Sequence, residues 1–284
     1  MTKVHEMLAA GPTFSFEMSA PKTPEQEERL ERVLTDLEHL HPSYVSVTYG
    51  AAGSTREGTL EVVEHLVRAT SMTPMPHLTC VAQTRDDIVA LVKGYAELGL
   101  DNLLALGGDA PLDAVAYPTD FHFALELVEL TRELGDFSVG VAAFPEKHPR
   151  SPDVASDRRR LAEKLRAADF GITQFFFEAD AYFRMVEDLA ALGVDKPVLP
   201  GLMAFVNVDG LRRMSAMNDA TIPADLQRRL DQVSGDPLRV RELAVEVCSE
   251  LGAQLLEGGA PGLHLCTMNF SAAAKEIWAN LGLG

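Results

Sequence analysis

The sequence is poor in cysteine, which excludes two classes of stabilising site. Its three cysteines, Cys80, Cys248 and Cys266, are too few and too scattered for a disulfide framework. None is spaced from another cysteine, or from a histidine, as the ligands of a zinc site are. We therefore expect three small, buried, apolar side chains and no bound metal.

Long apolar runs and clustered positive charge are also lacking. No stretch of about 18 apolar residues is present to cross a bilayer, and the N-terminus has no signal-peptide pattern, so we expect a cytoplasmic protein without a membrane partner. With 25 Lys and Arg against 42 Asp and Glu, the formal charge is −17, which argues against a nucleic-acid partner. An anionic cofactor would have to use the densest basic segment, between Lys147 and Arg166.

The sequence does contain a regular alternation of strand-like and helix-like segments. Apolar runs predict eight strands, at residues 14–19, 44–49, 75–80, 102–108, 138–144, 170–177, 197–203 and 262–268. Amphipathic segments separate them, and the long one at 207–257 should hold more than one helix.

Successive strand–helix units with short connections predict an α/β fold, a single (β/α)8 TIM barrel over residues 1–284. A doubly wound sheet would need a glycine-rich phosphate-binding turn after its first strand, and "EMSAPKTP" is not one. In a barrel, catalytic groups collect at the carboxyl ends of the strands.

The first predicted strand, "FSFEMSAPK", carries a carboxylate on its polar face. Phe14, Phe16 and Met18 alternate with Ser15 and Glu17, so the two sets point to opposite sides of a strand. In a closed barrel the polar side is the interior. Glu17 is therefore expected inside the barrel, near the rim where active sites form.

Polar residues recur at the other predicted strand ends and suggest a polar ligand. They are Thr48 and Tyr49, His77 and Thr79, Asp109, Glu146 and His148, Gln174, Asn207, and Asn269. Some have simpler interpretations: a core histidine at 77, a helix N-cap at 269, or an ordinary turn at "LGGDAP". An unpaired amide at Gln174 would cost about 1–3 kcal/mol, so Gln174 must have a partner. No G-x-S-x-G motif is present, which favours acid–base or cofactor chemistry.

Seven motifs together resemble one known family. "FSFEMSAPK", "YVSVTYGAAGST", "PHLTC", "LALGGDAP", "VAAFPEKHPRS", "ITQFFF" and "LPGLMA", in this order, are similar to the methylenetetrahydrofolate reductases. The resemblance implies a (β/α)8 barrel, an oxidoreductase that makes 5-methyltetrahydrofolate, bound FAD, NAD(P)H as reductant and a homo-oligomer.

The resemblance also implies roles for individual residues. Glu17 matches the family's general acid, Asp109 an aspartate beside the flavin that binds the pterin, and Gln174 a glutamine that contacts folate. The positions that match FAD-binding residues are Thr48, His77, Gly108, Asp109, Tyr117, Phe144, His148, Asp157 and Lys164. The implied reaction protonates the folate N10, so Glu17 must be protonated near neutral pH. We expect burial and the neighbouring Asp109 to raise the pKa of Glu17.

Three positions depart from the family pattern and leave alternatives open. Gly107 stands where an arginine is common, Met214 where a phenylalanine can occur, and Phe270 where an arginine can contact substrate. The loss of a cation at Gly107 leaves open a flavin-free reductase with direct hydride transfer from NAD(P)H. A non-redox pterin-binding barrel that transfers methyl groups, or a non-catalytic folate-binding protein, would also use such a site.

Overall fold

The computed structural model describes residues 1–48, 56–108 and 120–283, which form a parallel barrel surrounded by helices. Each pair of neighbouring strands is parallel. The strands are β1 Thr13–Ser19, β2 Tyr44–Thr48, β3 Pro74–Thr79, β4 Asn102–Leu106, β5 Ser138–Ala143, β6 Phe170–Thr173, β7 Val198–Leu199, β8 Gly201–Met203 and β9 Gly262–Cys266.

The predicted (β/α)8 barrel is confirmed, with its seventh strand in two pieces. The sheet runs β7-β6-β5-β4-β3-β2-β1-β9-β8, so β7 and β8 lie at the two ends of this order and only Pro200 separates them along the chain. Proline has no amide hydrogen for the ladder, and the N–H of Gly201 donates to the Thr173 hydroxyl at 2.8 Å. β7 and β8 thus occupy one position, where the barrel closes.

The helices lie outside the sheet, except for the first. They are α1 Val4–Ala10, α2 Pro24–Glu38, α3 Arg56–Ala69, α4 Arg85–Glu97, α5 Ala124–Leu134, α6 Val154–Ala167, α7 Ala179–Ala191, α8 Val208–Met217, α9 Ala224–Val233, α10 Pro237–Glu257 and α11 Ser271–Asn280. Side chains that accept a backbone N–H begin five of them, namely Thr23, Thr84, Asp153, Asn207 and Asp236.

Several predicted boundaries need correction. The strand predicted over 170–177 ends at Thr173, because Phe175 leaves the sheet and packs with α8, α9 and α10 in a second apolar cluster. The strand predicted over 102–108 ends at Leu106, before Gly108 turns into the left-handed region with φ of 77°. The expectation of several helices within 207–257 is confirmed by α8, α9 and α10, whereas α1 was not predicted.

The barrel interior has an apolar floor at the amino ends of the strands. Val4 of α1 packs there against inward side chains of the strands, which are Tyr44, Met75, Leu104, Phe170, Ile172 and Leu199. α1 is fixed in place because the Val4 N–H donates to the Asn102 side chain at 2.8 Å. The interior is therefore filled at this end, and polar groups gather at the other.

The outer face of β1 packs on the last helix. Phe16 and Met18 are buried, and the ring of Trp278 in α11 lies 4.5 Å from that of Phe16 and 6.0 Å from that of Phe14. The predicted alternation of β1 is thus confirmed, since its apolar side faces α11 and Glu17 faces inward.

We predict that Trp278→Ala lowers the free energy of unfolding by about 3–5 kcal/mol, because it leaves a cavity against Phe14 and Phe16. Guanidinium chloride denaturation measures the change. Leu238→Ala is the control: Leu238 is 65% exposed, so its truncation should alter stability by less than about 0.5 kcal/mol. Equal stability of the two variants would contradict this account of the core.

Candidate functional site

Glu17 lies between two imidazoles inside the barrel. Its Oε2 is 3.6 Å from Nε2 of His77 and 3.6 Å from Nε2 of His264, and its side chain is 23% exposed. The three residues come from β1, β3 and β9, whose inward faces meet at one level above the apolar floor. The sequence predicted Glu17 and His77 at such a site, but not His264.

His264 is held in place by two hydroxyl groups. Ser15 Oγ lies 2.7 Å from its Nδ1, and Ser46 Oγ lies 3.2 Å from its Nε2. The ring also stacks on Tyr44 of the floor, with the centroids 6.0 Å apart. His77 is buried, and its Nε2 makes no hydrogen bond within the described residues. The charged group nearest to this Nε2 atom among the described residues is the Glu17 carboxylate, 3.6 Å away.

The expected rise in the pKa of Glu17 is wrong for this arrangement. Burial does raise it, but the hydrogen bond with His264, the charges of His77 and His264 and a contact with Cys266 together lower the pKa of Glu17 to about 2. Burial lowers the pKa of His77 to about 4, against the attraction of Glu17. At neutral pH Glu17 is therefore a carboxylate beside a neutral His77.

A cleft of about 740 Å³ opens at the carboxyl ends of β4, β5 and β6. Among the residues lining it, the sequence predicted Gly108, Phe144, His148, Asp157, Lys164 and Gln174 as ligand-binding groups. Arg150 and Arg160 add two cations that were not singled out individually, although both belong to the predicted basic segment 147–166. Glu126, Glu129 and Glu163 also line the cleft. Because these carboxylates repel negative charge, the binding of an anionic ligand would depend on Arg150, Arg160 and Lys164.

The loop between β5 and α6 is rigidly held beside this cleft. Arg158 of α6 is buried and donates to the carbonyls of Phe144 at 3.0 Å and Pro145 at 2.6 Å. Asp157 accepts from the Ser151 hydroxyl at 2.8 Å and from the His148 N–H at 3.3 Å. By accepting these hydrogen bonds from Ser151 and His148, Asp157 orders the loop between β5 and α6.

Lys164 and the Phe144–His148 pair present different chemistry to the same cleft. The ammonium of Lys164 donates to the Ala142 carbonyl at 2.8 Å, and burial lowers its pKa to about 8 although Asp157 opposes the shift. The rings of Phe144 and His148 meet edge to face at 4.5 Å. The cleft therefore combines an aromatic wall with a partly desolvated cation.

Gln174 has the partner that its position required. Its Nε2 donates to Asn218 Oδ1 at 3.2 Å, and its Oε1 accepts from the Phe175 N–H at 3.0 Å. Asn218 is held in turn because its Nδ2 donates to the Met214 carbonyl at 3.0 Å. Among the described residues the amide keeps one donor and one acceptor position without a partner, and Gln174 lines the cleft, which suits the edge of a heterocycle.

Other predicted positions have structural roles or lie outside the described residues. Asn207 caps α8, and Asn269 is not a helix cap, since it exchanges two hydrogen bonds with the backbone of Ser19, at 2.9 and 2.8 Å. Thr48 ends β2 on the same face as Ser46 and is half-buried. Asp109, Tyr117 and Tyr49 lie outside the described residues. Within those residues, no group of three ligating side chains could hold a metal ion, and no helix is long and apolar enough to span a membrane.

The residues missed from the sequence are His264, Asn218, Arg150 and Arg158. His264 alone had a readable signal, because the alternation of "GLHLC" puts it on the inward face of its strand, as the pattern of β1 does for Glu17. The others depend on which loops and helices approach the cleft.

Comparison with known proteins agrees with this geometry. The family model for methylenetetrahydrofolate reductase matches residues 3–282. The 5,10-methylenetetrahydrofolate reductase of Pectobacterium carotovorum subsp. carotovorum is 31% identical over 270 residues, which cover 95% of this chain and 90% of that protein. The enzyme of the same name from Escherichia coli K12 is 30% identical, with the same coverage.

A solved structure shares the fold. It is described as an uncharacterized protein from Clostridium thermocellum that binds two copies of 5-methyl-5,6,7,8-tetrahydrofolic acid. The match has a TM-score of 0.69 at 17% identity and covers 98% of this chain and 96% of the other. At this identity the match establishes a common architecture.

We predict that His77 makes the protein less stable as the pH falls from about 6.5 to about 4. Its folded pKa of about 4 lies below the ordinary histidine value of 6.5, so the unfolded chain binds the proton first and stability falls on acidification. This group contributes a slope of at most about 1.4 kcal/mol per pH unit. Urea denaturation across this range should give a shallower slope for His77→Gln than for the wild type. The control is the exposed His122, replaced by glutamine in the same way. A slope in His77→Gln equal to that of the wild type would contradict the assignment.

Proposed function

This chain belongs to the methylenetetrahydrofolate reductase family, and we propose that it reduces 5,10-methylenetetrahydrofolate to 5-methyltetrahydrofolate with NAD(P)H and bound FAD. The observation that carries this proposal is the carboxylate of Glu17 between two imidazoles, at the level of the barrel mouth. We also carry over from the family resemblance one catalytic barrel over residues 1–284 and a homo-oligomeric assembly.

The reaction consumes one proton and one hydride, and we assign the proton to Glu17. Protonation of the folate N10 breaks the bond between N10 and the bridging carbon and leaves a cation at N5 and that carbon. The cation accepts the hydride and becomes the 5-methyl group, while N10 keeps the proton. A positioned general acid of this kind supplies about 10²–10⁴-fold in rate.

Glu17 must gain a proton before it can act as an acid. Burial is already the strongest single influence on its pKa, and it acts upward. A flat ring system bound over the mouth would cover the 23% of the side chain that is exposed, which strengthens this effect. We propose that ligand binding raises the pKa of Glu17 enough for the carboxyl group to hold the proton that it transfers.

The cleft residues fit a flavin dinucleotide. Arg150, Arg160 and Lys164 offer cations to its phosphates in a chain of strongly negative charge, and Phe144 offers a ring edge. When bound, FAD would accept hydride from NAD(P)H and return it to the folate. We propose that the residues holding it are Thr48, His77, Gly108, Asp109, Tyr117, Phe144, His148, Asp157 and Lys164.

The folate itself is assigned to two side chains. Among the described residues Gln174 has one donor and one acceptor position without a partner, and Asn218 orients it. Asp109 is proposed to bind the pterin beside the flavin. Both amide and carboxylate groups can pair with the donor-rich edge of a pterin.

We predict that the purified protein has flavin absorbance, oxidises NAD(P)H with menadione as acceptor, and oxidises it with methylenetetrahydrofolate. Gly107, which stands where an arginine is common in the family, leaves one rival open: a flavin-free reductase would lack the absorbance and the menadione reaction yet still reduce folate. Folate binding without consumption of NAD(P)H would instead indicate a methyl-transfer or carrier protein and refute the proposed reaction.

We predict that Glu17→Gln retains NAD(P)H oxidation with menadione but loses folate reduction by about 10²–10⁴-fold. Glutamine preserves the shape of the side chain and removes the transferable proton, so only the folate half-reaction is affected. Stopped-flow spectroscopy measures the two half-reactions separately. Glu187→Gln, an exposed position on α7, is the matched control and should change neither. Equal loss of both half-reactions in Glu17→Gln would reject the assignment.

A further inference from the structure

Gly107 and Arg150 fit together on the wall of the cleft. A Cβ atom added to Gly107 would lie 3.2 Å from Nη2 of Arg150, and apart from the two chain neighbours of Gly107 no other described residue would have a heavy atom within 4 Å of it. The guanidinium therefore occupies the space beside residue 107 into which any side chain at that position would extend. The cation missing from position 107 in this sequence is supplied there by a residue of the β5–α6 loop.

Arg150 is placed and available for a ligand. Its backbone N–H donates to Nδ1 of His148 at 3.0 Å, and His148 is bound by Asp157. Arg158 holds the start of the same loop through the carbonyls of Phe144 and Pro145. The side chain of Arg150 is exposed, and within the described residues its guanidinium forms no ion pair with a carboxylate.

The negative charge of the chain and of the cleft makes the Arg150 guanidinium important for binding a phosphate. The chain carries a formal charge of −17, and three glutamates line the same cleft. A phosphate entering it meets repulsion unless a cation lies beside it, and arginine binds phosphate oxygens with two parallel hydrogen bonds. Gly107 helps because its lack of a side chain leaves both the guanidinium and the backbone open to the ligand.

We propose that Arg150 binds the pyrophosphate of a dinucleotide in this cleft, in place of a cation at position 107. The inference rests on the proposed function, which requires a dinucleotide here. Resident FAD and the NAD(P)H reductant share the pyrophosphate group, so the experiment has an arm for each. Riboflavin, which has the flavin ring and no phosphate, separates ring binding from phosphate binding.

The test is to measure dissociation constants of FAD, NADH, NADPH and riboflavin for apoprotein by fluorescence titration. Arg150→Ala should weaken binding of the dinucleotide about tenfold to a hundredfold, the range for a charge-assisted hydrogen bond, and leave riboflavin unchanged. The salt dependence of binding should also become shallower. Whichever dinucleotide loses affinity is the one whose pyrophosphate Arg150 binds.

Two further variants make the result specific. Arg159→Ala removes the same charge from the exposed side of α6, outside the cleft lining, and should leave every dissociation constant unchanged. The double variant Gly107→Arg with Arg150→Ala returns a cation to the same place and should recover most of the lost affinity.

The outcomes separate this inference from the proposed function. If wild-type protein binds a dinucleotide and Arg150→Ala binds it equally well, Arg150 has no role and the proposed function stands. If Arg159→Ala weakens binding as much as Arg150→Ala does, only net charge matters and the inference fails. If wild-type protein binds none of the dinucleotides, the proposed function fails and takes this inference with it.

Discussion

The contact of Glu17 with the imidazoles of His77 and His264, each 3.6 Å away, determines how the rest of the barrel interior is built. A carboxylate withdrawn from water costs free energy unless charged or hydrogen-bonding partners surround it. Those partners must therefore face inward at one level on β1, β3 and β9. His264 in turn needs the hydroxyls of Ser15 and Ser46. These polar side chains lie together because one charge, that of Glu17, is buried. The apolar floor lies directly beneath them.

The sequence predicted the architecture and much of the site because both depend on local patterns. Alternation in β1 placed Glu17 inside, and the strand–helix repeat implied the barrel. It did not pair His264 with Ser15, since that contact follows from the register between β9 and β1, two segments from opposite ends of the chain. The expected direction of the Glu17 pKa shift failed for the same reason. Burial can be inferred from a pattern, whereas the two imidazoles that outweigh it belong to other strands.

The cleft shows a second limit of sequence reasoning, which concerns long basic side chains. In "RRR" the three arginines look equivalent, yet Arg158 is buried against the carbonyls of Phe144 and Pro145 while Arg159 is exposed. Helix periodicity distinguishes their faces only once the neighbouring loop is known. Likewise, the change at Gly107 reads as the loss of a cation until the β5–α6 loop brings Arg150 beside it. A cation that is absent from one position of the sequence can be supplied by a residue far from it along the chain.

The apolar floor to which α1 contributes determines from which end of the barrel a ligand can reach the site. Val4 and the side chains around it fill the amino end of the barrel, so among the described residues the open approach to Glu17 is from the carboxyl end. In the proposed reaction only the folate needs the carboxylate, but NAD(P)H and the folate would enter through the same opening. The proposal then implies that the two ligands bind one after the other. A helix that the sequence did not predict thereby closes one end of the barrel and leaves the other end for ligands.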